Sequence, residues 1–176
     1  MKIEQFNSNQ LDQICLFVKT AFQTAEVADG SEQDMVKRIV NSNRYIPELT
    51  LVATEDSETV GFILICKTYI TNGDKSTETL NLGPVAVKQS LRGKGIGSEL
   101  IRTAIENAKH LGYKSVFLAG NTSFYSRFGF TPSINFGIKC NVPVPDELLP
   151  NIMALEIQKG ALKNTNGIVD LTLENI

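Results

Sequence analysis

Apolar residues recur along this chain in two periods, and the switches between them outline its elements. Lys2 to Phe6 reads as a first strand. Ser8 or Asn9 can then cap a helix in which Leu11, Ile14, Cys15, Val18 and Phe22 share one face. The stretch Thr24–Gly30 breaks that pattern. Ser31 with Asp34 three residues on resembles a capping box, opening a second helix with Met35, Ile39 and Val40 inward. Asn41-Ser42-Asn43 ends it. Leu49 to Thr54 and Thr59 to Ile70 read as strands joined by the polar turn Glu55-Asp56-Ser57-Glu58. Asn72-Gly73 marks a second turn, leading into a strand that ends at Val87.

The period then becomes helical. Ile96, Leu100, Ile101, Ala104, Ile105, Ala108 and Leu111 lie on one face, with Glu99, Arg102, Glu106 and Lys109 on the other. Gly112 is placed to end this helix, and Lys109 and His110 suit its negative end. Lys114 to Ala119 is a buried strand. Strand, helix, strand over this distance predicts a right-handed crossover between parallel strands. The remainder is less regular: Asn135 to Cys140 reads as a strand, Val142 to Pro145 as extended chain, and Asn151 to Gln158 and Ile168 to Leu173 as closing strands.

A chain of 176 residues without linker or repeat is expected to form one domain, 1–176. The net charge of -2 gives no global attraction for nucleic acid. It is unevenly spread, since Asn107 to Pro145 holds four Lys/Arg and no acid. That run is either a locally positive surface or a chance feature of a solvated face. Cys15, Cys66 and Cys140 are odd in number and lack metal spacing, so neither a disulfide framework nor a metal site is indicated. The start has no signal-peptide core and no run approaches a membrane span, so a cytoplasmic protein with no membrane partner is expected.

The chemistry concentrates between strand and helix. Leu82 to Val87 is apolar with Gly83-Pro84 inside it, and Arg92-Gly93-Lys94-Gly95-Ile96-Gly97-Ser98 follows. A glycine loop at a helix start lets backbone N–H groups approach an anion, and the helix dipole adds positive potential. This suits a phosphate, most simply a pyrophosphate. A Walker loop needs Gly-Lys-Ser/Thr, but Lys94 is followed by Gly95. Gly93, Gly95 and Ser98 nearly meet the dinucleotide fingerprint. That fingerprint also needs an acid about 20 residues on, where this sequence has none. The pattern met in full is Arg/Gln-x-x-Gly-x-Gly/Ala, here Arg92 to Gly97 after Val85-Ala86-Val87. It resembles the coenzyme A loop of the GNAT superfamily of N-acetyltransferases.

A second signature agrees. Phe124-Tyr125-x-x-Phe128-Gly129-Phe130 resembles the aromatic segment after the fifth strand of those enzymes, and the order of elements from Lys2 to Pro132 is similar as well. The wording Leu-Gly-Pro-Val-Ala-Val and Arg-Phe-Gly-Phe is most like the bacterial YhbS-like branch. The resemblance implies an α/β (α+β) GNAT fold, a mixed and mostly antiparallel twisted sheet flanked by helices. It also implies that Gly83-Pro84 splays the fourth and fifth strands apart. By the same resemblance the acyl-pantetheine arm would lie along Val85, Ala86 and Val87. N–H groups of Arg92, Gly93, Lys94, Gly95, Ile96, Gly97 and Ser98 would hold the pyrophosphate. Tyr125 would protonate the departing thiolate. Asn121 would contact the cofactor, or equally cap the short helix that follows. The strand-four position where some relatives place a Glu base holds Asn81 here. Glu26, Asp29, Glu32, Glu78 and Glu156 are the substitutes, each read first as a solvated acid, and none is assigned as base. The implied activity is direct transfer of acetyl from acetyl-CoA to a primary amine, on a small molecule or peptide, in a ternary complex without metal or nucleic acid. A homodimer is compatible with it. The alternative is a non-catalytic acyl-CoA binding or sensing module.

Overall fold

The stretches read as strands pair with one another in the computed structural model, which describes residues 1–25, 28 and 30–173. Strand β1 (Lys2–Gln5) runs antiparallel to β2 (Thr50–Glu55), and β2 antiparallel to β3 (Glu58–Asn72). Strand β4 (Lys75–Val87) is the next neighbour of β3. Asp56 and Ser57, both with positive φ, make the tight turn between β2 and β3. The chain divides into two compact units, one of residues 1–66 and 83–107, the other of 67–82 and 108–173. Both β3 and β4 contribute to each.

In the first unit Val60 to Cys66 of β3 is buried without a break. An uninterrupted apolar run is what a strand covered on both faces requires. Helices α1 (Leu11–Phe22) and α2 (Glu32–Val40) pack together and bury Ile14, Val18 and Ala21 on one side and Val36 and Ile39 on the other. Helix α3 (Ile96–His110) presses Ile96 and Leu100 onto Gly61 of β3. A Cβ at Gly61 would lie 2.8 Å from Leu100 Cδ1 and 2.9 Å from Ile96 Cγ2, so this glycine lets the helix start approach the sheet. The capping differs from the expected pattern. Asn7, not Ser8 or Asn9, supplies the side-chain cap, and it caps a 3₁₀ turn (Ser8–Gln10) that feeds α1. Ser31 makes no side-chain cap bond to α2.

In the second unit α3 ends as the sequence predicts. Gly112 adopts φ +84°, its N–H reaches Lys109 O at 3.0 Å, and the Tyr113 N–H reaches Ala108 O at 3.0 Å. This is a Schellman termination. Strand β5 (Ser115–Ala119) is parallel to β4 through Leu80–Val116 and Asn81–Phe117. Its whole length is antiparallel to β8 (Ile152–Glu156), which also pairs β6 (Thr131–Pro132). The registered β4–β5 pairs stop at Asn81, two residues before Gly83. Strand β7 (Ile138–Cys140) is parallel to β9 (Gly167–Val169), and β9 pairs β3 at Ile70 and Thr71. Around these strands Ile70, Phe117, Ile138, Ala154, Leu162 and Val169 form the core.

Two closing strands are shorter than predicted. Ser133–Phe136 is a 3₁₀ turn ended by Gly137 at φ +71°, so only Ile138–Cys140 pairs. After Val169 the Asp170 carboxylate accepts from Asn141 Nδ2 at 2.7 Å, Thr172 Oγ1 at 3.0 Å and Leu173 N–H at 3.3 Å. That local network turns the chain out of the ladder.

Candidate functional site

The glycine loop lies in the first unit, on the surface, between the 3₁₀ turn Gln89–Leu91 and α3. Residues 92–95 are exposed. Gly93 and Gly95 adopt φ of +77° and +90°, which side-chain-bearing residues resist, and a Cβ at either would meet nothing within 4 Å. The demand there is conformational, not steric. The first helical bond is donated by the Glu99 N–H to Gly95 O at 3.0 Å. The N–H groups of Ile96, Gly97 and Ser98 therefore precede the intrahelical ladder, as the first donors of any α-helix do. These donors, with Lys94 exposed beside them, are the groups through which the N-terminus of a helix can attract an anion. Gly97 differs from the other two glycines. A Cβ there would touch Val87 Cγ2 at 3.4 Å and Val85 Cγ1 at 3.8 Å, ordinary contact distances. Val85 and Val87 thus turn their half-buried side chains toward the helix start, while Ala86 on the opposite face is buried.

Arg92 is engaged elsewhere. Its N–H donates to Gln89 O at 3.2 Å, closing the preceding turn. Its guanidinium donates through Nη1 to Thr24 O at 3.0 Å and through Nη2 to Ala21 O. Both carbonyls belong to the C-terminal end of α1, where free acceptors and the negative dipole end favour a cation. The guanidinium thus anchors the loop to α1.

Tyr125 lies in the second unit, at the end of the one-turn helix α4 (Thr122–Tyr125). Asn121 Oδ1 accepts from the Phe124 N–H at 3.1 Å, so the capping role offered for Asn121 is realised. The Tyr125 ring meets Phe124 at 5.0 Å and Phe130 at 5.8 Å between centroids, both edge-on. Arg127 stacks on the Phe124 ring at 4.6 Å and donates from Nε to Phe124 O, which gives one member of the basic run a structural task. Burial in this apolar surround pushes the Tyr125 phenol up to about 12. The hydroxyl therefore stays protonated across any ordinary assay range and acts as a hydrogen-bond donor.

The acidic candidates fare differently. Glu26 and Asp29 lie outside the described residues. Glu78 is exposed in the β3–β4 hairpin. The Glu156 carboxylate accepts the N–H groups of Leu162 at 2.7 Å and Gly160 at 3.0 Å, so it organises a turn. Glu32, expected at the surface, is 8% exposed. It borders a cavity of about 410 Å³ also lined by Lys19, Phe22 and Gln33. The missed signal was its spacing, since Glu32 shares a helical face with the buried Val36 and Ile39. Asn81 is buried on β4 in register with Phe117. Among the described residues no group of His, Cys, Asp and Glu has metal-binding geometry, and no helix is long and apolar enough to cross a membrane.

Comparison with known proteins agrees with this architecture. The acetyltransferase (GNAT) domain profile matches residues 47–132, a span running through both units and containing both the glycine loop and Tyr125. The chain is 31% identical over 127 residues to the uncharacterized N-acetyltransferase YjhQ of Escherichia coli K12, covering 71% of this chain and 70% of that one. It is 26% identical over 143 residues to the uncharacterized N-acetyltransferase YhbS of the same strain, covering 80% and 81%. Among solved structures, the E. coli YhbS complex with CoA superposes with a TM-score of 0.81 at 20% identity, over 96% of this chain and 88% of that one. A Brucella melitensis GNAT acetyltransferase in complex with acetyl-CoA gives a TM-score of 0.75 at 23% identity, over 96% and 93%. Shared identity of this extent with YjhQ, on a sheet and helix order common to solved acetyltransferases, means that the chain belongs to the GNAT acetyltransferase family.

Proposed function

We propose that this protein transfers an acetyl group from acetyl-CoA to a primary amine by direct attack. The observation that carries the donor side is the α3 N-terminus. Its leading N–H groups sit behind two glycines in conformations that leave them open to an anion, which suits the pyrophosphate of CoA. Relatives bearing the N-acetyltransferase name, and fold neighbours crystallised with CoA or acetyl-CoA, support the choice of donor. Main-chain groups of Val85, Ala86 and Val87 are proposed to pair the pantetheine arm while their side chains pack.

The neutral amine nitrogen attacks the thioester carbonyl carbon, and the carbon–sulfur bond breaks as the tetrahedral adduct collapses. The proton lost from nitrogen balances the thiol released. The Tyr125 hydroxyl donates a hydrogen bond to the departing sulfur. An alkyl ammonium titrates near ~10, so activity should climb with pH toward that value wherever the amine must deprotonate unaided.

Free-CoA release measured over a panel of small-molecule and peptide amines tests the reading. Initial-rate plots should intersect, because a ternary complex is required, and no acetylated protein should accumulate without amine. A stoichiometric acetyl group on Cys15, Cys66 or Cys140 by mass spectrometry would refute direct transfer. Asn81 favours a second reading, a non-catalytic acyl-CoA binding module, since an amide cannot usefully accept a proton. Tight CoA binding with no turnover on any amine would select it.

A further inference from the structure

Gly120 links β5 to the Asn121 cap, and nothing in its own backbone calls for glycine. Its φ lies outside the left-handed region that glycine alone tolerates. What excludes a larger residue is space. A Cβ there would lie 2.8 Å from Tyr125 Cδ2, closer still to Cε2, and 3.2 Å from Leu118 Cδ1. The Leu118 tip can rotate away, but the Tyr125 ring cannot yield as easily. It is wedged against Phe124 and Phe130, with Phe128 at 6.5 Å. Nor is the Gly120 backbone free to retreat, because its N–H donates to Asn151 O at 2.9 Å, extending the β5–β8 ladder.

We infer that Gly120 is a positioning residue for Tyr125: its missing side chain is the seat of the phenol ring, and that seat sets where the hydroxyl points. The inference rests on the reading of Tyr125 as hydrogen-bond donor to the leaving sulfur. Gly120 and Tyr125 are both half-buried, yet a contact this short cannot stand without one of them moving. A methyl at Gly120 must therefore rotate or lift the ring. Misplacing a group in the reacting geometry by about an ångström can cost on the order of 100-fold in rate.

The experiment compares Gly120→Ala, Tyr125→Phe and the double variant in amine acetylation. It also follows the Tyr125 phenol by ¹³C-tyrosine NMR across alkaline pH, assigned by its loss in Tyr125→Phe. Gly120→Ala should lower kcat by roughly 10- to 100-fold with the acetyl-CoA Kd unchanged. The phenol should titrate below its parent value as the ring leaves its apolar seat. In the Tyr125→Phe background the same alanine should cost less than about twofold, since the hydroxyl it displaces is gone. A purely structural glycine would instead slow both backgrounds equally, and additive losses overturn the inference. So does a Gly120→Ala enzyme with parental kcat and parental phenol titration while Tyr125→Phe is slow. If Tyr125→Phe itself keeps full kcat, the catalytic reading of Tyr125 fails and takes this inference with it. Should Gly120→Ala not fold, Gly120→Ala with Tyr125→Leu vacates the seat and should melt with Tyr125→Leu alone. A further fall in Tm would show that the glycine's space serves something other than the ring, against the inference.

Discussion

Replacing Arg92 separates two roles that its place in the glycine motif confounds. If the guanidinium served a phosphate, Arg92→Ala would weaken CoA binding and flatten its salt dependence. The structure commits that group to Ala21 O and Thr24 O at the end of α1. Charge-assisted bonds replace good solvation at an exposed site, so each contributes about 0.5–1.5 kcal/mol net. The favourable dipole interaction of about 0.3–1 kcal/mol overlaps with them. Removing the side chain should therefore destabilise the protein by about 1–3 kcal/mol, which for a chain of this length lowers Tm by about 2–12 °C. Arg92→Lys should fall between, since a point charge keeps the dipole attraction but not the two-pronged fork. Thermal unfolding of the three proteins, with CoA titrations at low and high salt, measures both quantities. Arg92→Ala should lose stability with CoA affinity changed less than about threefold and the salt slope retained. An unchanged Tm with a tenfold weaker, less salt-sensitive Kd would refute it and return Arg92 to the phosphate.

The glycines of the loop should respond unequally to substitution. Gly95→Asp puts a side chain and a negative charge on a residue at φ +90°. It should lower CoA affinity at least tenfold, about 1.4 kcal/mol, whereas Gly97→Ala meets Val87 at an ordinary distance and should bind nearly as the parent does. Calorimetry giving the reverse order would reject the loop geometry. Tyr125→Phe should lower kcat by roughly 10- to 100-fold, about 1.4–2.7 kcal/mol of barrier, with the acetyl-CoA Kd barely moved. Because the phenol is raised from 10 to about 12, the activity it supports should persist through pH 10 instead of fading there. The same shift has a stability consequence of definite sign. The folded state holds the proton that the unfolded state gives up, so stability is full below pH 10 and falls between pH 10 and 12, by at most about 2.7 kcal/mol. Alkaline unfolding in which Tyr125→Phe loses stability as steeply as the parent over that interval would show the phenol to be solvated.

Most of what positions the site was decided locally and could be read from the sequence. The α3 register follows from apolar spacing, its end from Gly112 and the backbone bonds that residue permits, and its start from glycines that alone accept the loop's φ values. The glycine-loop and aromatic motifs, being short and contiguous, carried the family likeness. What the sequence could not determine were choices among partners distant along the chain. Arg92 could serve an anion or a helix end, and only the approach of α1 supplied the carbonyls of Ala21 and Thr24. Glu156 was an acid like any other until the turn at Gly160–Leu162 folded its N–H groups onto it. The last strands looked longer because β-propensity is local, while one was shortened by the 3₁₀ turn that Gly137 ends and the other by Asp170 gathering Asn141 and Thr172. Gly120 shows the limit most plainly. Its φ gives no hint of need, and the reason for glycine there is the ring of a tyrosine brought against it by the fold. Periodicity and turn chemistry act over a few residues, whereas hydrogen-bond partners and excluded volume are assigned by tertiary contact.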